Sequence, residues 1–197
     1  PYRGDILNIL EQNKIPVNAT LEIPLLEDPF AAFIFNLFNL EKNNFYKDDV
    51  CAVLTSPYFK GREEGWPALV KNIGISAGFQ QWLDLLPLAK DQDSAGRLQA
   101  FLTKIKNNLE QLQEARDFET LSALAQDIIN TYANVEEAQK SAAPALQTVL
   151  NFIAQIAQFK TVRPKAKRGE FLEEFTALIK EATLNKVSPV QRGVKAA

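Results

Sequence analysis

The 197-residue sequence has no histidine, no methionine and a single cysteine. Without an imidazole there is neither a Ser-His-Asp nor a Cys-His nucleophile system, and one thiol cannot assemble a cysteine-ligated zinc or iron–sulfur site. A metal could be held only by carboxylates and carbonyls. The lone Cys51 excludes an intramolecular disulfide, so nothing points to an oxidising compartment, and a cytoplasmic setting is expected. Residues 30–40 form an apolar stretch far too short and interrupted for a membrane span, and no secretory segment opens the chain. Neither GxxxxGK[ST] nor GxGxxG occurs, so there is no glycine-rich phosphate loop. No catalytic, cofactor-binding or metal-ligating residue is therefore expected in this chain. The missing methionine, an opening that reads as a helix already in progress and a final Gly193-Val194-Lys195 that stops abruptly together suggest an internal segment of a larger protein.

What is present is an ordinary globular composition, 46% hydrophobic and 23% charged, enough for a real core in one domain or two small ones. Residues 3–12 carry Ile6, Leu7 and Leu10 at helical spacing, and 15–17 and 20–25 read as extended pieces that Pro16 and Pro24 mark as edge-like. Asp28-Pro29 is a helix start, with Asp28 as N-cap and a run through Phe30, Phe33, Ile34, Leu37, Phe38 and Leu40 that should be deeply packed. A shorter helix over 47–54, opened by Asp48 or Asp49, should stop at Thr55-Ser56-Pro57. Glycines and Pro67 break up 61–78, and a boundary is placed there. Beyond it, amphipathic segments begin near Ser76, Ser94, Asp117 and Ser141, each read as an N-cap, and a fifth covers 170–182. Pro144 falls in a first helical turn. The expectation is a mainly α fold, a bundle of about seven to eight helices with a small α/β edge. Residues 1–60 would be a partial RecA-like segment, 61–187 a helical subdomain and 188–197 a truncated return strand.

Carboxylates come in pairs: Glu27/Asp28, Asp48/Asp49, Glu63/Glu64, Asp91/Asp93, Glu136/Glu137 and Glu173/Glu174. The first two lie where helix N-termini favour negative charge, and the others read as solvated surface. Asp91-Gln92-Asp93 lacks the later ligands of a calcium loop. Gly74-Ile75-Ser76-Ala77-Gly78 lacks nucleophile-elbow spacing and reads as a turn and helix start. Trp66 and Trp82 read as core rather than as a stacking platform. Charge is more informative: residues 1–159 carry a net of −7 and residues 160–197 a net of +5. Lys160, Arg163, Lys165, Lys167 and Arg168 place five cations in nine residues with no acid among them, a loop suited to anionic partners and above all to phosphate backbones, or alternatively a solvated interhelix loop. Only Phe159 is adjacent, so base stacking is not indicated.

The N-terminal third carries a more specific pattern: Ile9 through Val17 with its Ile-Pro-Val step, then Pro24-Leu25, Asp28-Pro29-Phe30 before an apolar helix, and Asp48 through Phe59 ending in Leu-Thr-Ser-Pro-Tyr-Phe. This resembles the helicase-like part of AddB-type helicase-nuclease subunits and, more distantly, UvrD-type helicases. In those proteins a mostly helical insertion follows before a return strand, whose start Arg192-Gly193-Val194-Lys195 resembles. The resemblance covers 6–59, is positional over 60–187 and is slight at the end. It implies an insertion subdomain of a DNA end-processing enzyme of the AddB/RecC type, with DNA, neighbouring parent domains and a helicase subunit as partners, and no membrane. The family's ATP-binding loop, nuclease carboxylates and iron–sulfur cysteines have no match here. Two functions are thus expected: a noncatalytic module that holds or routes DNA, or a helical interaction or spacer domain with no nucleic-acid binding of its own. A stand-alone enzyme would need a carboxylate-only site.

Overall fold

In a computed structural model, residues 20–187 are described. The expected helix over 3–12, the extended piece 15–17 and the return strand at 188–197 lie outside them. The rest is mainly α, as expected, with a small two-stranded edge. The helices among the described residues are α1 (Pro29–Asn39), α2 (Lys47–Thr55), α3 (Gly65–Asn72), α4 (Phe79–Leu85), α5 (Gln92–Glu114), α6 (Phe118–Tyr132), α7 (Val135–Ser141), α8 (Ala143–Ala157) and α9 (Glu170–Glu181). Strands β1 (Thr20–Pro24) and β2 (Thr183–Val187) pair antiparallel, Thr20 opposite Val187 and Pro24 opposite Thr183. The ribbon flows directly into the bundle, because the Leu25 amide donates to the Ala182 carbonyl at 2.8 Å.

Helix α1 is the centre of the bundle. Asp28 caps it as expected, its Oδ1 accepting from the amides of Phe30 at 2.9 Å and Ala31 at 3.3 Å, and Pro29 occupies the first turn, where its missing N–H costs nothing. Phe30, Phe33, Ile34, Leu37, Phe38 and Leu40 are all buried. Each such side chain contributes roughly 1.5–3 kcal/mol by leaving water, which outweighs the modest helix propensity of four phenylalanines in one short helix. Around α1 pack α2, α8 and α9, with α5 and α6 closing the far side through α8 and α9. The buried apolar residues form one cluster from Leu25 to Ile179, which runs across residue 60 without interruption. Residues 58–60 are laced to 132–134: the Lys60 amide donates to the Tyr132 carbonyl at 2.9 Å and the Asn134 amide to the Tyr58 carbonyl at 2.7 Å.

Several helix starts differ from the sequence reading. Helix α2 begins after Tyr46 and has no side-chain cap; Asp48 and Asp49 lie inside its first turn, and the Lys47 amide is satisfied instead by the Ser76 carbonyl at 2.8 Å. Ser76 is not a cap, because α4 begins only after Gly78, whose φ of 104° favours glycine over any L side chain. Ser94 is also not a cap: Asp91, a charged and stronger acceptor three residues earlier, takes the Ser94 amide at 3.0 Å. Ser141 ends α7 rather than opening α8, its hydroxyl donating to the Glu137 carbonyl at 2.8 Å. Pro144, in the first turn of α8 as expected, has already removed one of the N–H groups a cap would serve. Asp117 alone of these four caps as expected, accepting from the Thr120 amide and hydroxyl, both at 2.7 Å; those bonds hold its carboxyl below the usual range.

Candidate nucleic-acid interface

The basic loop lies across the corner where α5 ends and α6 begins. It leaves α8 through a 3-10 turn, Gln158–Thr161, and enters α9 at Gly169, whose φ of 73° makes the bend. Two backbone bonds dock it on the corner: the Ala166 amide donates to the Arg116 carbonyl at 2.7 Å, and the Gly169 amide to the Gln113 carbonyl at 3.2 Å. Ala166 is buried beneath the loop, and Phe159 meets Phe118 edge-on with centroids 5.9 Å apart.

This docking brings acids to the cations. Lys160 Nζ lies 3.1 Å from Glu119 Oε2, and both side chains are largely exposed. Arg168 Nη2 lies 3.8 Å from Glu114 Oε1, again an exposed pair. Arg163 is different: its guanidinium pairs with Glu170, whose side chain is only 10% exposed, and sits 5.5 Å from the centroid of the Phe118 ring. The second oxygen of Glu170 accepts from the Lys167 amide at 2.8 Å. Lys165 and Lys167 are exposed on either side of buried Ala166, and among the described residues neither ammonium has a carboxylate within 4.0 Å. Five adjacent cations in sequence are thus two exposed lysines, two loosely paired cations and one clamped arginine. Arg116 joins them from the α5–α6 corner, exposed and likewise without a carboxylate partner among the described residues. Nothing local in the sequence marks it, since its place in the patch arises from a long-range backbone bond.

Beside the loop is a polar cleft of about 390 Å³ lined by Glu41, Lys42, Gln113, Arg168, Gly169, Leu172 and Glu173. Gln113 Nε2 donates to Glu41 Oε2 at 2.8 Å. Burial, reinforced by the Glu110 carboxylate, pushes the Glu41 carboxyl above its usual range, with Lys106 and Arg168 opposing. A carboxyl raised in the folded state favours folding while protonated and loses that advantage as pH rises through its folded pKa. Glu41→Gln is therefore expected to stabilise the chain at neutral pH, with the gain vanishing below pH 4.5, the ordinary value. Urea midpoints of both proteins at the two pH values measure this; a difference independent of pH would contradict it.

Four of the other carboxylate pairs have one member built into the scaffold, while Glu136, Glu137 and Glu173 are exposed. Glu63 pairs with Arg97 at 3.0 Å, Asn43 Nδ2 donates to Asp49 Oδ2 at 2.8 Å, and Asp28 and Asp91 cap helices. Among the described residues no three Asp, Glu, Cys or His are grouped so as to hold a metal ion, and no helix is long and apolar enough to cross a membrane. Trp66 and Trp82 are both buried in the core and unavailable for base stacking. No protein-family model matches the chain, and no curated protein matches it.

Proposed function

We propose that this chain is a noncatalytic helical module, inserted into a larger cytoplasmic DNA end-processing enzyme of the AddB type, that helps to hold or route DNA through its phosphate backbone. One observation carries the reading: the chain reaches the bundle through β1 and leaves through β2, two strands paired side by side. That is the geometry of an insertion on a stem, which a host domain accommodates without separating its own flanking segments. Helices α1, from Pro29, and α2, ending just before Ser56-Pro57, carry the residues that resemble the helicase family. The exposed cations of the corner supply the means of contact; among the described residues the aromatic rings there are buried Phe118 and half-buried Phe159, packed edge-on against each other, so the contact is one without base reading.

Binding is expected to be weak, with Kd on the order of 10⁻⁴–10⁻⁶ M, equal for unrelated sequences and steeply weakened by salt. Titration of short duplex and single-stranded DNA at low salt tests it, with Lys165, Lys167 and Arg168→Ala as the variant that should lose most of the affinity. A second reading, an interaction or spacer domain, is favoured by the internal pairing of Lys160, Arg163 and Arg168. No DNA binding at any salt would leave it standing alone.

A further inference from the structure

The basic loop and the α5–α6 corner contain six cations in three chemically different situations. We infer that the phosphate-contacting surface consists of Arg116, Lys165 and Lys167, that Lys160 and Arg168 join it by exchanging Glu119 and Glu114 for phosphate oxygens, and that Arg163 is a positioning residue that never leaves Glu170. This deepens the DNA-holding reading and rests on it.

Exposure and replaceability separate the three groups. Arg116, Lys165 and Lys167 have exposed side chains with no carboxylate to displace among the described residues, so a phosphate gains their full attraction. The carbonyl of Arg116 is bonded to the amide of Ala166, the residue between the two lysines, so these cations project from one backbone junction. Lys165 and Lys167 are two residues apart, at most about 7 Å along extended chain, a spacing that lets them meet different phosphates of one strand. The pairs Lys160–Glu119 and Arg168–Glu114 have both partners largely exposed. Such pairs hold weakly in water, and the released carboxylates return to full hydration, so phosphate can replace them.

Arg163 cannot be recruited in this way. Removing it would leave the largely buried Glu170 carboxylate without its cation, a loss far larger than one phosphate contact returns. Its stacking over Phe118 and the bond from Glu170 to the Lys167 amide make it part of what fixes the loop on the corner.

The test uses the full chain and a short duplex across a salt series. Arg116→Gln is expected to reduce the slope of log affinity against log salt by about one, as Lys165→Gln and Lys167→Gln do. Glu114→Gln and Glu119→Gln are expected to raise affinity about two- to fivefold at low salt by freeing Arg168 and Lys160. Glu64→Gln is the control for simple loss of negative charge. Glu64 is exposed and adjoins Glu63, the partner of Arg97, which lies about 25 Å along α5 from Glu114, beyond the screening length of about 10 Å at 0.1 M salt; at that salt its affinity should equal the parent's, and at lower salt its gain should stay below those of Glu114→Gln and Glu119→Gln. Arg163→Lys keeps the charge and should leave the slope unchanged while lowering the Tm. If Arg116→Gln binds with the parent slope while Lys165→Gln loses a contact, the division of the patch is wrong and the DNA reading survives. If the parent chain binds no DNA at the lowest salt, the DNA reading falls and this inference with it.

Discussion

Trp82→Ala is expected to lower the unfolding free energy by about 3–5 kcal/mol. Trp82 is fully buried, and its indole Nε1 donates to the Phe45 carbonyl at 2.9 Å. That acceptor belongs to a strained turn, in which Asn44 and Phe45 both have positive φ, 52° and 49°. Two consecutive non-glycine residues in the left-handed region cost on the order of 1–3 kcal/mol each and persist only where their surroundings hold them. The turn is held by the Phe45 amide on the Leu40 carbonyl, the Gly78 amide on the Asn44 carbonyl, both at 2.7 Å, and the Trp82 indole. Removing the indole leaves a cavity and an orphaned carbonyl together. Comparing Trp82→Phe with Trp66→Phe separates these contributions. Trp66 is also buried, but its indole nitrogen has no hydrogen-bond partner among the described residues, so its replacement orphans nothing. Trp82→Phe should cost about 1–3 kcal/mol more than Trp66→Phe. Urea unfolding followed by circular dichroism measures both, and equal losses would show that the indole bond does not hold the turn.

Phe175→Ala is expected to cost about 3–5 kcal/mol as well and to do so in a single transition. Phe175 is fully buried in α9, with its ring centroid 5.1 Å from Phe38 of α1 and 5.7 Å from Phe171. The first contact joins the two ends of the described chain across the core. Should these helices belong to one cooperative unit, loss of Phe175 lowers the midpoint seen by every probe equally. A double-mutant cycle with Phe38→Ala should return about 0.5–1.5 kcal/mol of coupling. Two separated transitions, with only one shifted, would show instead that the chain unfolds as two units.

The fold class was legible because the signals behind it are local and redundant. Asp28 and Asp117 cap as read because each is a charged acceptor standing immediately before an apolar period. The serines misled for the complementary reason: Ser94 stands three residues after Asp91, a stronger acceptor, and Ser141 can satisfy itself on the Glu137 carbonyl within the preceding helix. Helices α3 and α7 were not anticipated. Helix α3 starts at Gly65 with Pro67 in its first turn, residues that read as breakers when α3's packing on α2 and α5 is unknown. Helix α7 is only seven residues long, too short for its periodicity to emerge. At the candidate site, the five cations were legible as a run of like charge. The pairing of Lys160 with Glu119 and of Arg168 with Glu114 was not, nor was the arrival of Arg116, because these residues reach the loop only through the docking of Ala166 and Gly169 on the end of α5.

The antiparallel ribbon also determines how the module responds to mechanical load. Tension applied through the flanking chain would pull Thr20 and Val187 apart at the same end of the ribbon, along the direction of its hydrogen bonds. Loaded in that direction, the five residue pairs give way one rung at a time, like a zipper, rather than resisting together in shear. Such a force would open the ribbon before it reached the packed helices, so the bundle can remain folded while the ribbon lengthens.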